Sequence, residues 1–342
     1  MTTILDVASR AGVSIKTVSR VVNEEPHVLE STRAAVLDAM KQLGYSPNIS
    51  AKRLASKRSF VIGLLYTATS EYFGSVLDHA IRGGLQKGYS ILAVFFKPFD
   101  QKSRENVMSL VNQKQVDGFL LTPMCDNDAT LLAELMAYQV PFVRLTPSDH
   151  SLPLPLVAPD DWQGAYAMTE YLVGLGHRRI GFVYGYPDHQ ASQDRFGGFR
   201  AALEAHQLTI EDDLIQPGGF LFEEGRQAGE KLLKQFPRPT AIFASNDESA
   251  VGVLSIAHEL GIQVPKELSV TGFDDFPISN KAWPSLTTVR QPMQEITNQA
   301  LEVLIGLLNH KKPEVDNIKI PTELVIRKST GICNPTTYEG TK

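Results

Sequence analysis

The first residues of this chain with clear chemical capacity lie between positions 15 and 20. Once the apolar positions pack, the side chains left for solvent or DNA are Ile15, Lys16, Thr17, Ser19 and Arg20. Lysine and arginine donate hydrogen bonds to guanine O6 and N7, and an aliphatic side chain suits the methyl group of thymine. Hydroxyl groups bind phosphate oxygens, which position a protein without reading sequence. The set predicts contact with double-stranded DNA.

Two short helices, at 4–11 and 15–23, must hold these side chains. Gly12 can adopt the positive φ of the turn between them, and Ser14 can cap the second helix. Small apolar residues allow close helix packing: Ala8, Val13, Val18 and Val21. This is the helix-turn-helix pattern, whose second helix enters the major groove. The alternative is an ordinary helical hairpin, and a third amphipathic helix at 31–43 argues against it.

A short basic segment at residues 49–58 follows a break at 45–48 and carries one leucine, Leu54. Isolated helices shorter than about 12–15 residues are marginal in water, so this segment should fold only when two copies meet on DNA. A plain flexible linker is the alternative.

These motifs resemble the LacI/GalR family of bacterial transcription regulators. VSIKTVSRVVN at 13–23, LGYSPN at 43–48 and AKRLASKRS at 51–59 match the family's recognition helix, pre-linker motif and hinge helix. The second half of the chain carries further matches to the family: the YL and GHRRIG of 171–181, RFGGF at 195–199, ASND at 244–247, VPKELSV at 264–270, GFDD at 272–275 and LTTV at 286–289.

The resemblance implies roles in a pseudo-palindromic DNA operator. Ile15, Lys16 and Arg20 would read bases. Leu54, with Ala51, would enter the minor groove as a wedge, whose unstacking cost is recovered through contacts with bent DNA. Contacts to the DNA backbone are expected from Ser14, Thr17, Ser19, Asn23, Lys52 and Arg53.

From Phe60 onward, short apolar runs alternate with amphipathic helical segments. Such alternation indicates βαβ units and parallel sheets buried on both faces. The apolar runs lie at 61–66, 90–95, 116–121, 141–145, 179–184, 239–244 and 268–273. The predicted fold class is α/β: an all-α helix-turn-helix head with a hinge helix, then a two-lobed, periplasmic-binding-protein-like domain with parallel sheets.

The expected domain boundaries combine this pattern with the resemblance. They are a DNA-binding domain at 1–46, a hinge at 47–59, an effector-binding and dimerisation domain at 60–331 and a polar tail at 332–342. Within the large domain, the N-lobe would comprise 60–158 plus 291–319, and the C-lobe 162–288 plus 321–331.

Ligands of α/β sheets bind beyond the carboxyl ends of the strands, here in the cleft between lobes. The resemblance implies an effector site at Tyr72, Phe73, Ser192, Arg195, Phe220, Asn246, Asp274 and Met293. Arg195, expected in a loop just before a helix, could bind paired sugar hydroxyls or a carboxylate. Thr146 stands where sugar-binding members carry an aspartate, and Arg144 is an unusual charge in an apolar strand. A sugar is favoured over a purine.

The first 59 residues and the rest of the chain carry opposite net charges. Residues 1–59 carry nine Lys/Arg and five Asp/Glu, a net charge of +4, whereas the remaining residues carry 24 and 33, a net charge of −9. A basic head on an acidic body concentrates the attraction for phosphate in one place. With two cysteines, no signal peptide and no membrane-spanning apolar run, the chain is expected to be cytoplasmic, with no membrane partner.

Together these features predict a repressor of sugar uptake or catabolism genes, controlled by a small ligand, with a sugar favoured, bound between the lobes. No catalytic motif such as GxSxG or HExxH occurs, so neither an enzyme nor a cofactor is expected. A homodimer is expected because the tail has no leucine heptad for a tetramer. The alternatives are a co-repressor-dependent regulator with a non-sugar ligand, or a sugar-binding protein of the periplasmic type.

Overall fold

A computed structural model of the chain describes residues 2–22, 27–45, 56, 58–311 and 317–333. The chain divides into two compact units, Met1–Ser59 and Phe60–Lys342, which we call the head and the body. Several residues with a predicted role on DNA lie outside the described residues, and their roles stay predictions: Asn23, Ala51, Lys52, Arg53 and Leu54.

The head contains the helices α1 (Ile4–Ala11), α2 (Ile15–Val22) and α3 (Glu30–Gln42). The Thr3 hydroxyl accepts a hydrogen bond from Asp6 N, and the Asp6 carboxylate accepts one from Thr3 N, which caps α1. At the other end of α1, Gly12 has a φ of 66°. The three helices bury one apolar cluster: Val7, Ala8, Val18, Val21, Val36 and Ala39. The predicted helix-turn-helix is confirmed.

The body begins with alternating strands and helices. They are β1 (Val61–Tyr66), α4 (Glu71–Gln86), β2 (Ser90–Phe95), α5 (Gln101–Asn112), β3 (Gly118–Leu121), α6 (Ala129–Ala137), β4 (Phe142–Leu145) and β5 (Leu156–Pro159). A short 3₁₀ turn, Cys125–Asn127, lies between β3 and α6.

A second series follows. It comprises α7 (Asp161–Gly174), β6 (Ile180–Tyr184), α8 (Gln190–Ala205), a 3₁₀ turn at Asp212–Leu214, β7 (Ile215–Pro217), α9 (Phe222–Leu233), β8 (Ala241–Ala244), α10 (Asp247–Glu259), β9 (Ser269–Thr271) and α11 (Pro277–Lys281). The last elements of the chain are β10 (Thr288–Arg290), α12 (Met293–Leu308), β11 (Asn317–Ile320) and β12 (Glu323–Val325).

Two sheets define two lobes of the body. The N-lobe sheet has the order β11-β5-β4-β3-β1-β2, and the C-lobe sheet has the order β7-β6-β8-β9. Every strand pair within these sheets is parallel. Although α12 and β11 come late in the chain, α12 packs in the core of the N-lobe and β11 pairs with β5. The predicted α/β body with two parallel-sheet lobes is therefore confirmed, whereas most of the predicted hinge at 47–59 lies outside the described residues.

The chain passes between the lobes after β5, between β10 and α12, and between β11 and β12. Strands β10 and β12 form an antiparallel pair that ties two of these passages together. Asp275 reinforces the region, since its carboxylate accepts hydrogen bonds from Arg290 Nε at 2.7 Å and from Arg327 Nη2. These charge-assisted contacts hold the pKa of Asp275 below its usual value despite partial burial.

Candidate functional site

Helix α2 presents the predicted base-reading side chains to solvent. It buries Val18 and Val21 against the head core, whereas Ile15, Lys16 and Arg20 are exposed. Ile15 is 44% exposed, so a large part of this apolar side chain is accessible to a partner. The backbone-contact candidates Thr17 and Ser19 are half-buried, and Ser14 is exposed.

The Ser14 side chain is engaged at the start of α2. Its oxygen accepts a hydrogen bond from Thr17 N at 3.1 Å and lies 2.9 Å from the Thr17 hydroxyl. Ser14 thus caps the helix, as its sequence position predicts. This cap fixes where the helix begins, and therefore which side chains it presents.

A cavity of about 290 Å³ lies between the two lobes of the body. Its lining residues follow β1, β3 and β4 in the N-lobe and β6, β8 and β9 in the C-lobe. Carboxyl ends of parallel strands meet at one sheet edge, and the two edges face each other across the cavity. Six predicted effector residues line it: Tyr72, Phe73, Arg195, Phe220, Asn246 and Asp274.

Two predicted effector residues are not among the lining residues. Ser192 is fully buried on α8, and its hydroxyl has no hydrogen-bond partner among the described residues. Met293 begins α12 and lines an adjoining groove beside α4. The structure brings the other six residues together without these two.

Arg195 lines the cavity from the C-lobe and is 4% exposed. It belongs to α8 itself, so the expectation of a loop before a helix is wrong. Its Nε donates to Asp161 Oδ1 at 2.8 Å, and its Nη1 donates to the Ser245 carbonyl and lies 3.4 Å from Asp274 Oδ1. The guanidinium carbon is 3.8 Å from the centre of the Phe273 ring.

Close packing of α7 and α8 places Arg195 against Asp161. Gly198 lies one turn after Arg195, and a Cβ added there would be 2.1 Å from the Trp162 carbonyl oxygen. Only glycine therefore lets α8 approach the start of α7, where Asp161 is the first residue. The RFGGF motif thus supplies both the guanidinium and the glycine that positions it.

Three buried carboxyl groups surround this single guanidinium. Burial raises the pKa of Asp274 to about 7, although Arg195 opposes the shift. Burial also raises the pKa values of Asp161 and Asp247, and the negative charge of Asp274 adds to the shift of Asp247. For Arg195, the paired carboxylates outweigh burial and raise the pKa of the guanidinium.

The N-lobe wall of the cavity carries aromatic rings and hydroxyls instead of paired charges. Phe73 is buried and stacks on Tyr66, with 4.0 Å between the ring centres. The Tyr72 hydroxyl makes a short hydrogen bond with the Thr146 hydroxyl, and burial raises the Tyr72 pKa. Thr146, the departure noted in the sequence, is therefore part of the site through Tyr72.

Asn246 and Phe220 occupy the C-lobe side of the opening. Asn246 Oδ1 caps α10 by accepting from Ser249 N at 3.0 Å, and its Nδ2 donates to the Phe220 carbonyl at 2.9 Å. Phe220 packs edge-on against the Tyr186 ring, with centres 5.4 Å apart. Asn246 thus positions the loop that presents the Phe220 ring.

Sequence reasoning missed several residues that line the cavity, and three of these contact predicted members of the site. Asp161, Tyr186 and Gln291 all line it. The Gln291 amide donates to Asp274 Oδ1 from the passage between β10 and α12. Asp161 lies two residues after β5, so its place near a strand's carboxyl end was an available signal. Gln291 gave no such signal, because it reaches the cavity through the late return of the chain to the N-lobe.

The N-lobe loop after β4 bridges the mouth of the cavity. Arg144 is fully buried in β4 and donates to the backbone carbonyls of Asp149, Leu152 and Leu154 at 2.6–3.0 Å. The braced loop then contacts the start of α8. The Ser148 carbonyl accepts from Gln190 N at 3.1 Å, and His150 Nδ1 lies 3.9 Å from Asp194 Oδ2.

Comparison with known proteins shows the family to which this chain belongs. Residues 3–48 match the family described as bacterial regulatory proteins, lacI family, and residues 169–330 match the periplasmic binding protein-like domain. The regulator DegA of Bacillus subtilis is 34% identical over 336 residues, covering 97% of this chain and 99% of DegA. The chain belongs to the LacI family. It is a DNA-binding transcription regulator and not an enzyme.

Other relatives of this LacI-family protein agree. The repressor PurR of Haemophilus influenzae is 34% identical over 338 residues, covering 96% of this chain and 98% of PurR. Among solved structures, a CelR–cellobiose complex has a TM-score of 0.72 at 27% identity and covers 96% of this chain and 100% of CelR. A lac repressor dimer bound to operator and the anti-inducer ONPF has a TM-score of 0.73 at 29% identity, covering 96% and 99%.

In the part of the chain that the structure describes, no helix is long and apolar enough to cross a membrane. Within the same residues, no three His, Cys, Asp or Glu side chains are grouped to hold a metal ion.

Proposed function

We propose that this regulator is a cytoplasmic repressor whose head binds a pseudo-palindromic operator and whose interlobe cavity binds a sugar. The observation that carries the proposal is the cavity itself. Arg195, Asp161 and Asp274 offer hydrogen-bonding groups from one wall, while aromatic rings face them from the other. Hydroxyl groups in a ring need this combination of directed polar contacts and flat apolar surface.

Free hydrogen-bonding atoms in the cavity support a polyhydroxylated ligand. Among the described residues, nothing donates to Asp161 Oδ2 or Asp274 Oδ2, and nothing accepts from Arg195 Nη2. A sugar hydroxyl can donate to such a carboxylate oxygen and accept from such a guanidinium nitrogen. The CelR relative, solved as a cellobiose complex, supports the same ligand class.

Control of DNA binding would arise from lobe movement. A ligand that contacts both walls favours one separation of the lobes over another, and this difference couples the cavity to the operator. The regulated genes would be those for uptake or breakdown of the same sugar. The sign of the coupling decides between an inducer and a co-repressor.

An apolar surface on the N-lobe supports a homodimer. Strand β2 is at the sheet edge, and exposed apolar side chains lie on it and on the adjoining helix α4: Ile81, Leu85, Leu92 and Phe95. A second copy would cover these side chains, which otherwise remain in water. Leu85→Glu should shift the protein to monomers in sedimentation velocity, whereas the exposed Met136→Glu on α6 should leave the dimer intact.

Two paired measurements test the proposal. Thermal unfolding is measured with mono- and disaccharides, amino sugars and purines, because a ligand that binds the folded state raises its stability. Operator affinity is then measured by fluorescence anisotropy with and without the stabilising compound. A sugar that stabilises the protein and changes operator affinity supports the proposal, whereas a purine with both effects would replace it by a non-sugar effector.

Two variants separate the two sites. Phe220→Ala should weaken ligand stabilisation and leave operator affinity without ligand unchanged. Lys16→Ala should do the reverse, keeping ligand stabilisation while altering operator preference. If Phe220→Ala leaves the ligand response intact, the ligand binds outside the cavity.

A further inference from the structure

Acidic side chains outnumber basic side chains among the residues that line the interlobe cavity. Among the described lining residues, the only Lys or Arg is Arg195, whereas five carboxyl groups line the same space: Glu71, Asp161, Asp247, Glu248 and Asp274. An arginine in a cavity usually suggests an anionic ligand, since its guanidinium matches carboxylate and phosphate geometry. Here the residues around Arg195 argue against an anionic ligand.

Arg195 is already neutralised by its neighbours. Asp161 Oδ1 is 2.8 Å from its Nε, and Asp274 Oδ1 is 3.4 Å from its Nη1. All three side chains are at least nine-tenths buried. Two carboxylates therefore share one guanidinium in a place where water screens little. A ligand anion at the free Nη2 would bring a third negative charge to the same cation.

We propose that the cavity selects hydroxylated ligands without negative charge and excludes sugar phosphates, sugar acids and nucleotides. This inference rests on the proposed function of the cavity as the effector site, and it narrows the ligand class. The free oxygens of Asp161 and Asp274 need hydrogen-bond donors, which hydroxyl and amino groups supply and phosphate or carboxylate oxygens do not.

The protonation chemistry of the cluster agrees with this selection. Burial raises the pKa of Asp274 to about 7 and raises the pKa values of Asp161 and Asp247. Burial is the main cause of these shifts, and Arg195 opposes it at Asp161 and Asp274 without cancelling it. A volume of about 290 Å³ is at the small end of ligand sites and suits one or two rings.

Inorganic phosphate tests the selection without knowledge of the natural ligand. Phosphate and sodium chloride are titrated at equal ionic strength into the full-length protein, and the melting temperature is recorded. The wild type should show no rise specific to phosphate. In Asp274→Asn, Arg195 loses one of its two neighbouring negative charges. A charge at this distance typically shifts the pKa of a neighbouring group by about 1–3 units, and each unit corresponds to a tenfold change in binding. We therefore expect phosphate to bind to the variant at least about tenfold more tightly.

Matched variants make each outcome decisive. Glu105→Gln removes an exposed carboxylate that does not line the cavity, and it should leave phosphate affinity unchanged. Arg195→Lys reports whether any phosphate effect depends on the guanidinium. Phosphate binding by the wild type that Arg195→Lys abolishes would overturn the proposal. Failure of Asp274→Asn to gain phosphate binding would overturn it too, because charge balance at Arg195 would then not be the cause.

A matched sugar series connects this result with the proposed function. Glucose, glucosamine and glucose 6-phosphate share one ring, as do galactose, galactosamine and galacturonate. Stabilisation by neutral or amino members, but not by their anionic counterparts, supports both proposals. Stabilisation by an anionic member alone would overturn the selection while keeping a ligand in the cavity. If no member stabilises the protein, the sugar assignment fails, and the phosphate titration still decides the charge selection.

Discussion

Lys16 and Arg20 are exposed on the eight-residue helix α2, whereas Arg195 is 4% exposed and contacts two carboxylates and a carbonyl. The head thus exposes these two side chains at its surface, whereas the body holds Arg195 in a buried network of ion pairs and hydrogen bonds. From this difference we expect that an exposed cation of the head, such as Lys16, can be replaced with little effect on the stability of the fold. A functional cation in the cavity cannot, because its removal leaves buried carboxylates unpaired.

Removing Arg195 should have the largest effect. Arg195→Leu should lower the free energy of unfolding by about 3–5 kcal/mol, because Asp161 and Asp274 lose their buried counter-ion. The measurement is urea unfolding at neutral pH. Arg82→Leu is the control, since Arg82 pairs with Asp78 on the surface and such pairs contribute about 0–1 kcal/mol. Equal costs for the two variants would remove the contrast between exposed and buried cations.

The second prediction concerns pH. The raised pKa of Asp274 means that the folded protein binds this proton more tightly than the unfolded chain does. Protonation therefore stabilises the fold below the ordinary value of 3.8, and this contribution disappears as the pH rises through about 7. Between about pH 4 and pH 7 the wild type should lose stability through this group, by about 1.4 kcal/mol per unit of pKa difference.

Asp274→Asn isolates that contribution. The variant should lose less stability than the wild type when unfolding is compared at about pH 5 and about pH 8. It should retain part of the loss, since burial also raises the pKa values of Asp161 and Asp247. Glu71→Gln serves as the control and should keep the wild-type pH dependence. An unchanged pH dependence in Asp274→Asn would show that Asp274 is not the titrating group.

On the head, Lys16→Ala should change recognition and not stability. A side chain that reads a base contributes about 1–3 kcal/mol of discrimination at one position, while the free energy of unfolding should stay within about 0.5 kcal/mol. Binding is measured against a set of operator half-sites that differ at single positions. An even loss of affinity over all half-sites would instead assign Lys16 to the phosphate backbone.

The smallest effect is expected at the mouth of the cavity, where the pairing of His150 and Asp194 depends on pH. Burial lowers the pKa of His150, so the imidazole is neutral at pH 8 and the pair gains charge only on acidification. Asp194→Asn should therefore change stability by less than about 0.5 kcal/mol at pH 8, and by up to about 1 kcal/mol near pH 5. A larger cost at pH 8 would mean that the contact acts through packing.

Local sequence was sufficient for the parts of the molecule whose geometry is local. Gly12, Ser14 and the small apolar residues of the head specify a helix-turn-helix within a short stretch, and the structure has it. The alternation of apolar runs and helices in the body likewise predicted two parallel sheets. In both cases the periodic pattern and the turn residues carry the information directly.

The cavity was only partly predictable because its members come from distant parts of the chain. The family resemblance identified Asn246 and Asp274, but it did not reveal that the Asn246 amide caps α10 and holds the Phe220 loop. Ser192 and Met293 lie on helices whose rotation about their axes depends on packing, and neither lines the cavity. Helical position alone does not decide which side of a helix faces a neighbouring lobe.

The sequence by itself determined the head, the two-lobed body and the presence of an arginine in the cleft. Only the tertiary structure decided that Asp161 and Asp274 both contact that arginine. Gly198 permits the close approach of α7 and α8 that places Asp161 there, and the late return of the chain places Gln291 against Asp274. The pKa values of the cavity carboxyl groups and the charge balance around Arg195 follow from these contacts. They depend on burial and on distances between residues far apart in the chain, which no local pattern encodes.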